Sequence, residues 1–425
     1  MVEKDWGFDT KQIHAGQVPD PVTGARALPI YQTTAYVFKD AQHAADLFSL
    51  KEGGNIYTRL QNPTTDVLEQ RLAALEGGVG ALATASGMSA IMLALLNIVE
   101  SGQEIVASSA LYGGTFNLFS VTFAKLGIKV HFVDPKDLAG FAAAINEKTR
   151  AVYVENISNP SMAVIDLEAI AEISHKHGLP LLVDATFTTP YLSRPIEFGA
   201  DIVIHSATKY LGGHGSAMGG IIVDSGKFDW AASGLFPGIT EPDASYHGLR
   251  YIESFGPEAY IVKARVQMLR DTGPAISPMN AWLILQGLET LSLRMQKHVA
   301  NATAVAAYLK AHPKVAWVNY PADPEHPDYA LVQKYMPQGI GSTFAFGLKG
   351  GLAAGKKFLE SVRLLSHVTN VGDTRSIVTH PGSTTHQQMS EADQIAAGVN
   401  PDLVRLSIGL EDAKDIIADI EQAMN

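Results

Sequence analysis

The chain has 425 residues, of which 46% are hydrophobic and 18% charged, so two domains with a sizeable core are expected. Its net charge of −11, without clustered lysine and arginine, disfavours nucleic-acid and anionic-membrane partners. The absence of cysteine excludes disulfides, thiolate metal sites and cysteine nucleophiles. No segment has the roughly 20 apolar residues of a membrane span, and the N-terminus lacks a signal-peptide pattern, so a cytoplasmic location is expected.

The N-terminal part of the chain differs in character from the rest. Residues 1–60 are polar and interrupted by glycine, which predicts an extended arm rather than a folded unit. A helix is predicted to begin at Asn62-Pro63, because asparagine is a favoured N-cap and proline is favoured at the first helical position. Gly77-Gly78 is predicted to end this helix.

Beyond this helix, short apolar runs alternate with longer helical patterns. Strands are predicted at 104–108, 130–134, 151–156, 180–186, 201–206 and 219–224, with helices between most of them, for example at 88–98 and 167–177. Several runs are apolar on both faces, as expected of strands covered by helices on each side. The pattern predicts an open, mostly parallel α/β sheet.

The pattern changes after residue 260. A long helical stretch at 278–311 is followed by two amphipathic helices and by short strands at 315–320, 342–348 and 403–409. This favours a smaller α+β domain at the C-terminus. The predicted division is an arm at 1–60, an α/β domain at 61–262 and a C-terminal domain at 263–425.

Lys209 has unusual surroundings in the segment Ser206-Ala207-Thr208-Lys209. Most lysines lie on solvated faces, but the buried strand before this one places it at the carboxyl edge of the sheet, where open α/β sheets bind ligands. A desolvated lysine has a lowered pKa and forms Schiff bases with aldehydes. The hydroxyls of Ser206 and Thr208 are suited to donating hydrogen bonds to a phosphate.

Asp184 ends the predicted strand before that of Lys209. One interpretation is a turn or cap residue, which is common for aspartate. The other is a carboxylate that keeps a pyridinium nitrogen protonated, so that the ring accepts electrons. Because the two residues end consecutive strands, they are expected to face one cavity, and together they predict a pyridoxal-5′-phosphate (PLP) site.

Two further elements are weak signals when taken alone. Ser86-Gly87-Met88 leads into a predicted helix, whose first N–H groups and positive dipole end favour an anion. Tyr112 follows an apolar strand, where an aromatic side chain either stacks on a flat cofactor or packs in the core.

These elements resemble, in order and spacing, the Cys/Met-metabolism family of PLP enzymes over nearly the whole chain. The segment DIVIHSATKYLGGH at 201–214 looks like the family's cofactor-attachment signature. The resemblance implies the aspartate-aminotransferase fold (PLP fold type I), a Schiff base on Lys209, Asp184 at the ring nitrogen and Tyr112 stacked on the ring. The other implied cofactor contacts are Ser86, Gly87, Met88, Ser206 and Thr208 at the phosphate, and Asn159.

The resemblance also implies an oligomer. Tyr57 and Arg59 match a Tyr-x-Arg motif that reaches the phosphate of the neighbouring subunit's cofactor, so a dimer would build the site and pair into a homotetramer. Arg405 resembles the arginine that binds the substrate's α-carboxylate, with a surface ion pair as the alternative. Asn370 and Tyr57 are further implied substrate contacts, and Glu155 belongs to the family's Glu-x-x-x-Asn-Pro motif.

At two positions the chain departs from the sequence patterns of other members of this family, and both departures favour one subgroup. Methionine γ-lyases carry cysteine where this chain has Gly114, and many members carry Ser-Leu-Gly where it has Asn370-Val371-Gly372. These features, with the insertion at 236–243, resemble O-acetylhomoserine sulfhydrylases. The resemblance implies a γ-replacement that converts O-acetyl-L-homoserine and sulfide, or methanethiol, to L-homocysteine, or methionine, and acetate. Lys209 would move the protons, with Tyr112 as a second acid or base.

Other interpretations stay open at this point. Within enzymes, the alternative is a PLP-dependent methionine γ-lyase or cystathionine γ-synthase. A regulatory PLP-binding protein and a structural role for Lys209 are the remaining classes. No histidine and acidic grouping has metal-ligand spacing, so no metal is predicted, and His247 and His380 either line the entrance or have structural roles.

Overall fold

The computed structural model describes residues 5–384, 387, 390, 394 and 398–425. The larger sheet has the strand order β1-β7-β6-β5-β4-β2-β3, in which β7 is antiparallel to both neighbours and β2 to β6 pair in parallel. Its strands are β1 (Gly80–Thr84), β2 (Glu104–Ser108), β3 (Lys129–Val133), β4 (Thr149–Glu155), β5 (Leu181–Asp184), β6 (Ile202–His205) and β7 (Gly220–Asp224). The predicted mostly parallel sheet is confirmed, whereas β1 was not predicted.

Helices surround this sheet and lead into the C-terminal part. They are α1 (Phe8–His14), α2 (Ala41–Phe48), α3 (Pro63–Glu76), α4 (Gly87–Leu96), α5 (Gly113–Asn117), α6 (Leu138–Ala144), α7 (Leu167–Lys176), α8 (Thr189–Leu192), α9 (Trp230–Ser233), α10 (Pro237–Thr240), α11 (Tyr251–Phe255), α12 (Ala259–Lys263) and α13 (Arg270–Thr272). A π-helical turn, Leu118–Phe123, continues α5, and another, Ala264–Leu269, joins α12 to α13. Short 3₁₀ turns lie at Pro195–Phe198, Ala244–Tyr246, Gly256–Glu258 and Pro381–Ser383.

The C-terminal part forms a smaller sheet with the strand order β10-β11-β12-β9-β8. Its strands are β8 (Val315–Asn319), β9 (Thr343–Leu348), β10 (Ser366–His367), β11 (Ile377–Thr379) and β12 (Leu403–Ser407). The helices here are α14 (Pro278–Leu288), α15 (Leu291–Ala311), α16 (Tyr329–Tyr335), α17 (Gly351–Ser361) and α18 (Ala413–Met424). The predicted α+β character of this part is therefore present.

The ends of α3 follow from local chemistry. Asn62 caps the helix because its side-chain oxygen accepts a hydrogen bond from the Thr64 N–H at 2.9 Å, and Pro63 occupies the first turn. Gly77 ends it in the left-handed conformation at φ 82°. The predicted start and end of this helix are both confirmed.

The first 60 residues differ from the prediction. An extended arm was expected, but its described part contains α1 and α2. The Asp40 side chain caps α2, and Gln12 of α1 is buried and donates to Ser292 at 3.0 Å. The cap of α2 and the long-range contact of α1 stabilise short helices that their polar sequence does not mark clearly.

The helical stretch predicted at 278–311 is present, but it consists of two helices. The chain breaks between α14 and α15 at Glu289 and Thr290. The Gly287 carbonyl accepts hydrogen bonds from the Arg294 guanidinium at 2.8 Å and from the Thr290 N–H at 3.3 Å. Because these bonds take the carbonyl away from a regular helical partner, the helix ends there.

Apart from the edge strand β3, most of which is only half-buried or exposed, the strands of the larger sheet are buried on both faces. Val183 and Val203 belong to one hydrophobic cluster with Leu72 of α3, whereas Leu182 and Ile204 belong to the other with Ile91 of α4. This alternation follows from the period of two along a strand. The two layers leave the carboxyl ends of β4, β5 and β6 as the accessible edge of this part of the sheet.

Two searches of the described part of the chain gave negative results. No helix there is long and apolar enough to cross a membrane. Within the same residues, no group of three or more histidine, aspartate and glutamate side chains is arranged to hold a metal ion.

Candidate active site

A cavity of about 280 Å³ lies at the carboxyl edge of the larger sheet, where the C-terminal part covers it. Nine residues predicted for the site line it from the larger sheet and its connections: Ser86, Gly87, Met88, Tyr112, Asn159, Asp184, Ser206, Thr208 and Lys209. Asn370 and Arg405 line it from the C-terminal part. The structure therefore brings eleven of the thirteen predicted site residues to one place.

One end of the cavity is formed by the beginning of α4. Ser86 caps this helix, since its hydroxyl accepts a hydrogen bond from the Ser89 N–H at 3.1 Å. A Cβ on Gly87 would lie 2.7 Å from the Ser206 Cβ, so only glycine permits this approach of helix and strand. The helix N-terminus and the nearby hydroxyls of Ser206 and Thr208 form a surface suited to a phosphate.

Asp184 lies on the cavity wall at the end of β5. Its carboxylate accepts a hydrogen bond from the Thr186 N–H at 2.9 Å. Burial raises the pKa of Asp184, and the hydrogen bonds from Thr186 and the charge of His205 only partly offset that effect. A positively charged group beside this carboxyl would favour its ionised form.

Lys209 faces the same cavity from the loop after β6. Its Nζ donates a hydrogen bond to the Asn370 Oδ1 at 2.6 Å. Burial and the nearby positive charge of Arg405 lower the pKa of Lys209 to about 8. Near physiological pH the neutral, nucleophilic form of this amine is therefore still a minority, but a far larger one than for an exposed lysine.

Arg405 is buried on β12 and forms no ion pair with an acidic side chain of the described residues. Its Nη1 donates to the Asn159 Oδ1 at 2.8 Å and its Nη2 to the Asn370 carbonyl at 3.2 Å. Burial lowers the pKa of Arg405 to about 10, which still leaves it charged at neutral pH. The alternative of a surface ion pair for this residue was wrong, and its remaining donors are available to a ligand carboxylate.

Tyr112 lies at the start of α5 with 37% of its surface exposed. Its backbone N–H donates to the Glu155 carboxylate at 2.7 Å. Its ring rests against the backbone of Gly114, where a Cβ would lie 2.5 Å from the tyrosine Cε1. Glycine at position 114 therefore permits this position of the ring.

Two predicted residues do not line the cavity of their own chain. Tyr57 and Arg59 lie exposed on the N-terminal arm, with the Arg59 guanidinium 5.3 Å from the centroid of the Tyr57 ring. Nor do the two histidines considered for the entrance contribute. His247 lines a different cavity beside the arm, and the buried His380 bonds the Pro401 carbonyl at 2.9 Å.

Sequence reasoning gave no separate role to several lining residues. Glu155 ends β4 next to Asp184 in the sheet, and Phe187 follows Asp184 by three positions. The position of Glu155 at the end of a buried strand was a signal that could have identified it. Met218 and Thr369 carried no such signal, because only the folding of distant loops brings them here.

The chemical groups that line the cavity fit PLP. The cavity offers a partly neutral lysine, a carboxyl group on the wall, an aromatic ring and a helix N-terminus that glycine keeps open. In PLP, the lysine corresponds to the aldehyde and the carboxyl group to the pyridine nitrogen. The aromatic ring corresponds to the flat cofactor ring, and the helix N-terminus to the phosphate. The fold and the cavity together define a PLP-dependent enzyme of fold type I, the aspartate-aminotransferase fold.

Comparisons with known proteins agree with this class. The model of the Cys/Met metabolism PLP-dependent enzyme family matches residues 9–425. The chain is 57% identical to the O-acetyl-L-homoserine sulfhydrylase of Leptospira meyeri, over 98% of this chain and 96% of that protein. The chain belongs to the Cys/Met metabolism family of PLP-dependent enzymes.

Solved structures show the same relationship. A putative O-acetylhomoserine (thiol)-lyase from Campylobacter jejuni, whose crystal structure contains N′-pyridoxyl-lysine-5′-monophosphate, has a TM-score of 0.96 at 38% identity, covering 99% of this chain and 100% of that one. Cystathionine γ-lyase from Lactobacillus plantarum has a TM-score of 0.84 at 31% identity, covering 98% of each chain. Because related reactions share this fold, the activity has to be argued from the site.

Proposed function

We propose that this protein is a PLP-dependent transferase that converts O-acetyl-L-homoserine and sulfide to L-homocysteine and acetate. With methanethiol in place of sulfide, the same replacement gives methionine. The observation that carries the proposal is the convergence of Lys209, Asp184 and the unpaired Arg405 in one cavity. The names of the relatives, O-acetyl-L-homoserine sulfhydrylase among them, support this choice of substrate.

The residues that would hold the cofactor occupy distinct parts of the cavity. Lys209 would bind its aldehyde carbon, Asp184 its ring nitrogen and Tyr112 one face of its ring, with Asn159 as a further contact. The phosphate would lie at the start of α4, among the backbone of Gly87 and Met88 and the hydroxyls of Ser86, Ser206 and Thr208. When bound, PLP supplies a carbonyl that condenses with amines and a ring that accepts electrons.

Side chains of this chain would bind the substrate and transfer the protons. Arg405 would bind the α-carboxylate of the substrate and present Cα to Lys209. Lys209 would then remove the Cα proton and, after passing it to a second acid or base, a Cβ proton, so that the bond from Cγ to acetate breaks and sulfide forms a bond to Cγ. Protons would return to Cβ and Cα before L-homocysteine leaves. Tyr112 would act as a second acid or base, and Asn370 would hold the lysine ammonium between these steps.

The charges of the cavity support an acetyl ester over a succinyl ester. Among the described lining residues, Lys209 and Arg405 are the positively charged side chains, and both already have roles. A succinyl group carries an additional carboxylate, which is costly to bury without a partner.

The proposed reaction is tested by product analysis. Purified protein loaded with PLP is incubated with O-acetyl-L-homoserine and sulfide, and in parallel with O-succinyl-L-homoserine, cysteine or methionine. We expect homocysteine to form mainly from the acetyl ester. Predominant cystathionine would indicate a cystathionine γ-synthase, and predominant 2-oxobutanoate a γ-lyase, and either result would overturn the proposal.

We also propose an oligomer in the cytoplasm. Tyr57 and Arg59 lie exposed on the arm and outside the cavity of their own chain, which supports a role at the cofactor phosphate of a neighbouring subunit. The arm at 1–60 would thus complete the site of a dimer, and two dimers would form a homotetramer. The proposed domains are otherwise 61–262 for cofactor binding and 263–425.

The lowered pKa of Lys209 predicts how cofactor capture depends on pH. Only the neutral amine attacks the aldehyde, so the capture rate of the cofactor-free protein should rise with pH through a midpoint near 8 and then level off. An exposed lysine would give a midpoint at about pH 10.4. The measurement is the growth of visible absorption after mixing with PLP, and a rate still rising steeply above about pH 10 would contradict the prediction.

Gly114→Ala is predicted to impair the reaction without unfolding the protein. The new Cβ would overlap the Tyr112 ring, which is partly exposed and free to move aside, so the ring leaves its stacking position. We expect kcat/KM to fall by about tenfold, since such displacements reduce productive alignment.

Gly355→Ala is the matched control for this variant. In α17 the nearest atom to a new Cβ is the Val404 Cγ2 at 3.4 Å, an ordinary contact, so activity should not change. If Gly114→Ala and Gly355→Ala have equal activity, the contact between Gly114 and the Tyr112 ring does not position that ring.

A further inference from the structure

Glu155 stands out as a buried acid in the cavity to which the proposed reaction gives no task. It is 5% exposed, ends β4, and is the register partner of Asp184 on the neighbouring strand β5. A buried carboxyl group is costly unless it has partners, so its hydrogen bonds indicate what it does.

Both oxygens of this carboxyl group accept hydrogen bonds from the backbone. Oε1 accepts from the Tyr112 N–H at 2.7 Å, and Oε2 accepts from the Asn159 N–H at 3.2 Å. The Asn159 side chain in turn accepts from the Arg405 guanidinium at 2.8 Å. A continuous chain of hydrogen bonds therefore runs from the start of α5 through Glu155 to the arginine on β12.

The two ends of this chain have different tasks in the proposed site. Tyr112 would lie on the cofactor ring, and Arg405 would bind the substrate's α-carboxylate. We propose that Glu155 is a positioning residue that sets the place of the Tyr112 ring and, through Asn159, of the Arg405 guanidinium. This inference rests on the proposed function for the identity of the substrate, whereas the hydrogen bonds of Glu155 are observed independently of that function.

The charge of Glu155 supports a positioning role. Burial and the neighbouring Asp184 raise the pKa of Glu155 well above its usual range, and the two backbone hydrogen bonds only partly offset this. The ionised form of Glu155 is therefore disfavoured beside Asp184, which is consistent with a side chain that holds backbone groups in place rather than one that carries charge in the reaction.

Glu155→Gln is the most direct test. Glutamine keeps the size of the side chain but has one acceptor oxygen, so only one of the two backbone hydrogen bonds survives. L-Homoserine is the probe, because it has the same α-amino and α-carboxyl groups without the acyl leaving group. In the PLP-loaded protein we expect its Kd, followed by the change in visible absorption, to rise by about tenfold.

Glu69→Gln is the matched control. Glu69 is also buried, and it accepts from the Ala83 N–H at 2.8 Å and from Arg265 at 2.6 Å, outside the cavity. This variant should lower the unfolding midpoint while leaving L-homoserine binding unchanged. If Glu155→Gln likewise lowers only the unfolding midpoint, the positioning role is wrong and Glu155 is structural.

A double variant distinguishes coupling from independent damage. If Glu155 acts on substrate binding through Arg405, then Glu155→Gln should add little to the increase in Kd that Arg405→Lys causes. If the increases in Kd of the two single variants instead multiply in the double variant, the proposed link between Glu155 and Arg405 is wrong. Glu155→Asp, whose shorter side chain cannot span both amides, provides the same comparison if the glutamine variant does not accumulate.

Failure of the proposed reaction is distinguishable from failure of this inference. If the wild-type protein binds L-homoserine but does not convert O-acetyl-L-homoserine, the reaction was assigned wrongly. The comparison of Glu155→Gln with its control still tests the positioning role in that case, because binding is measured without turnover.

Discussion

Replacement of Lys209 with alanine is expected to lower kcat by at least about 10⁴-fold, because the variant loses both the covalent anchor of the cofactor and the group that moves the protons. Borohydride treatment of the wild-type protein should link the cofactor to this lysine, and intact-mass measurement should show the added mass. The Lys209→Ala variant should show none at this position.

Lys263 supplies a matched control for this variant. It is also buried with a pKa lowered to about 8 by burial, but its Nζ donates to the Asn97 carbonyl at 2.9 Å, away from the cavity. Lys263→Ala should destabilise the fold yet retain borohydride labelling at Lys209. Substantial activity in Lys209→Ala, or loss of labelling in Lys263→Ala, would show that the wrong lysine was assigned.

Arg405→Lys is expected to raise KM for O-acetyl-L-homoserine by about 100-fold, a loss of about 3 kcal/mol in binding, with a smaller effect on kcat. Lysine keeps the charge but lacks the planar fork that binds a carboxylate through two parallel hydrogen bonds. It also cannot keep the contacts to Asn159 and Asn370 while reaching the substrate.

The corresponding control is Arg71→Lys. Arg71 is equally buried, and it donates to the Ala15 carbonyl at 3.1 Å and to Gln17 at 2.8 Å, but it does not line the cavity. Steady-state kinetics and thermal unfolding of both variants distinguish a loss of substrate binding from a loss of stability. We expect Arg71→Lys to lower the unfolding midpoint and leave KM unchanged, and a similar KM in both variants would refute the carboxylate role of Arg405.

Much of the larger sheet was predictable because its signals are local. Each parallel strand except the edge strand β3 is buried on both faces, so it forms a short continuous apolar run that is visible without knowledge of its neighbours. The strand β1 (GALAT) was missed, because alanine and glycine give no strand preference and its pairing with β7 joins distant segments.

The α/β class and the placement of Asp184 and Lys209 at one sheet edge follow from local residue patterns, because parallel neighbouring strands end on the same side. The surroundings of these two residues depend instead on contacts between distant segments. Arg405 meets Asn159 across 246 residues of sequence, and Asn370 meets Lys209 across 161. Such contacts depend on how the C-terminal part packs over the sheet, and no local pattern of residues encodes that packing.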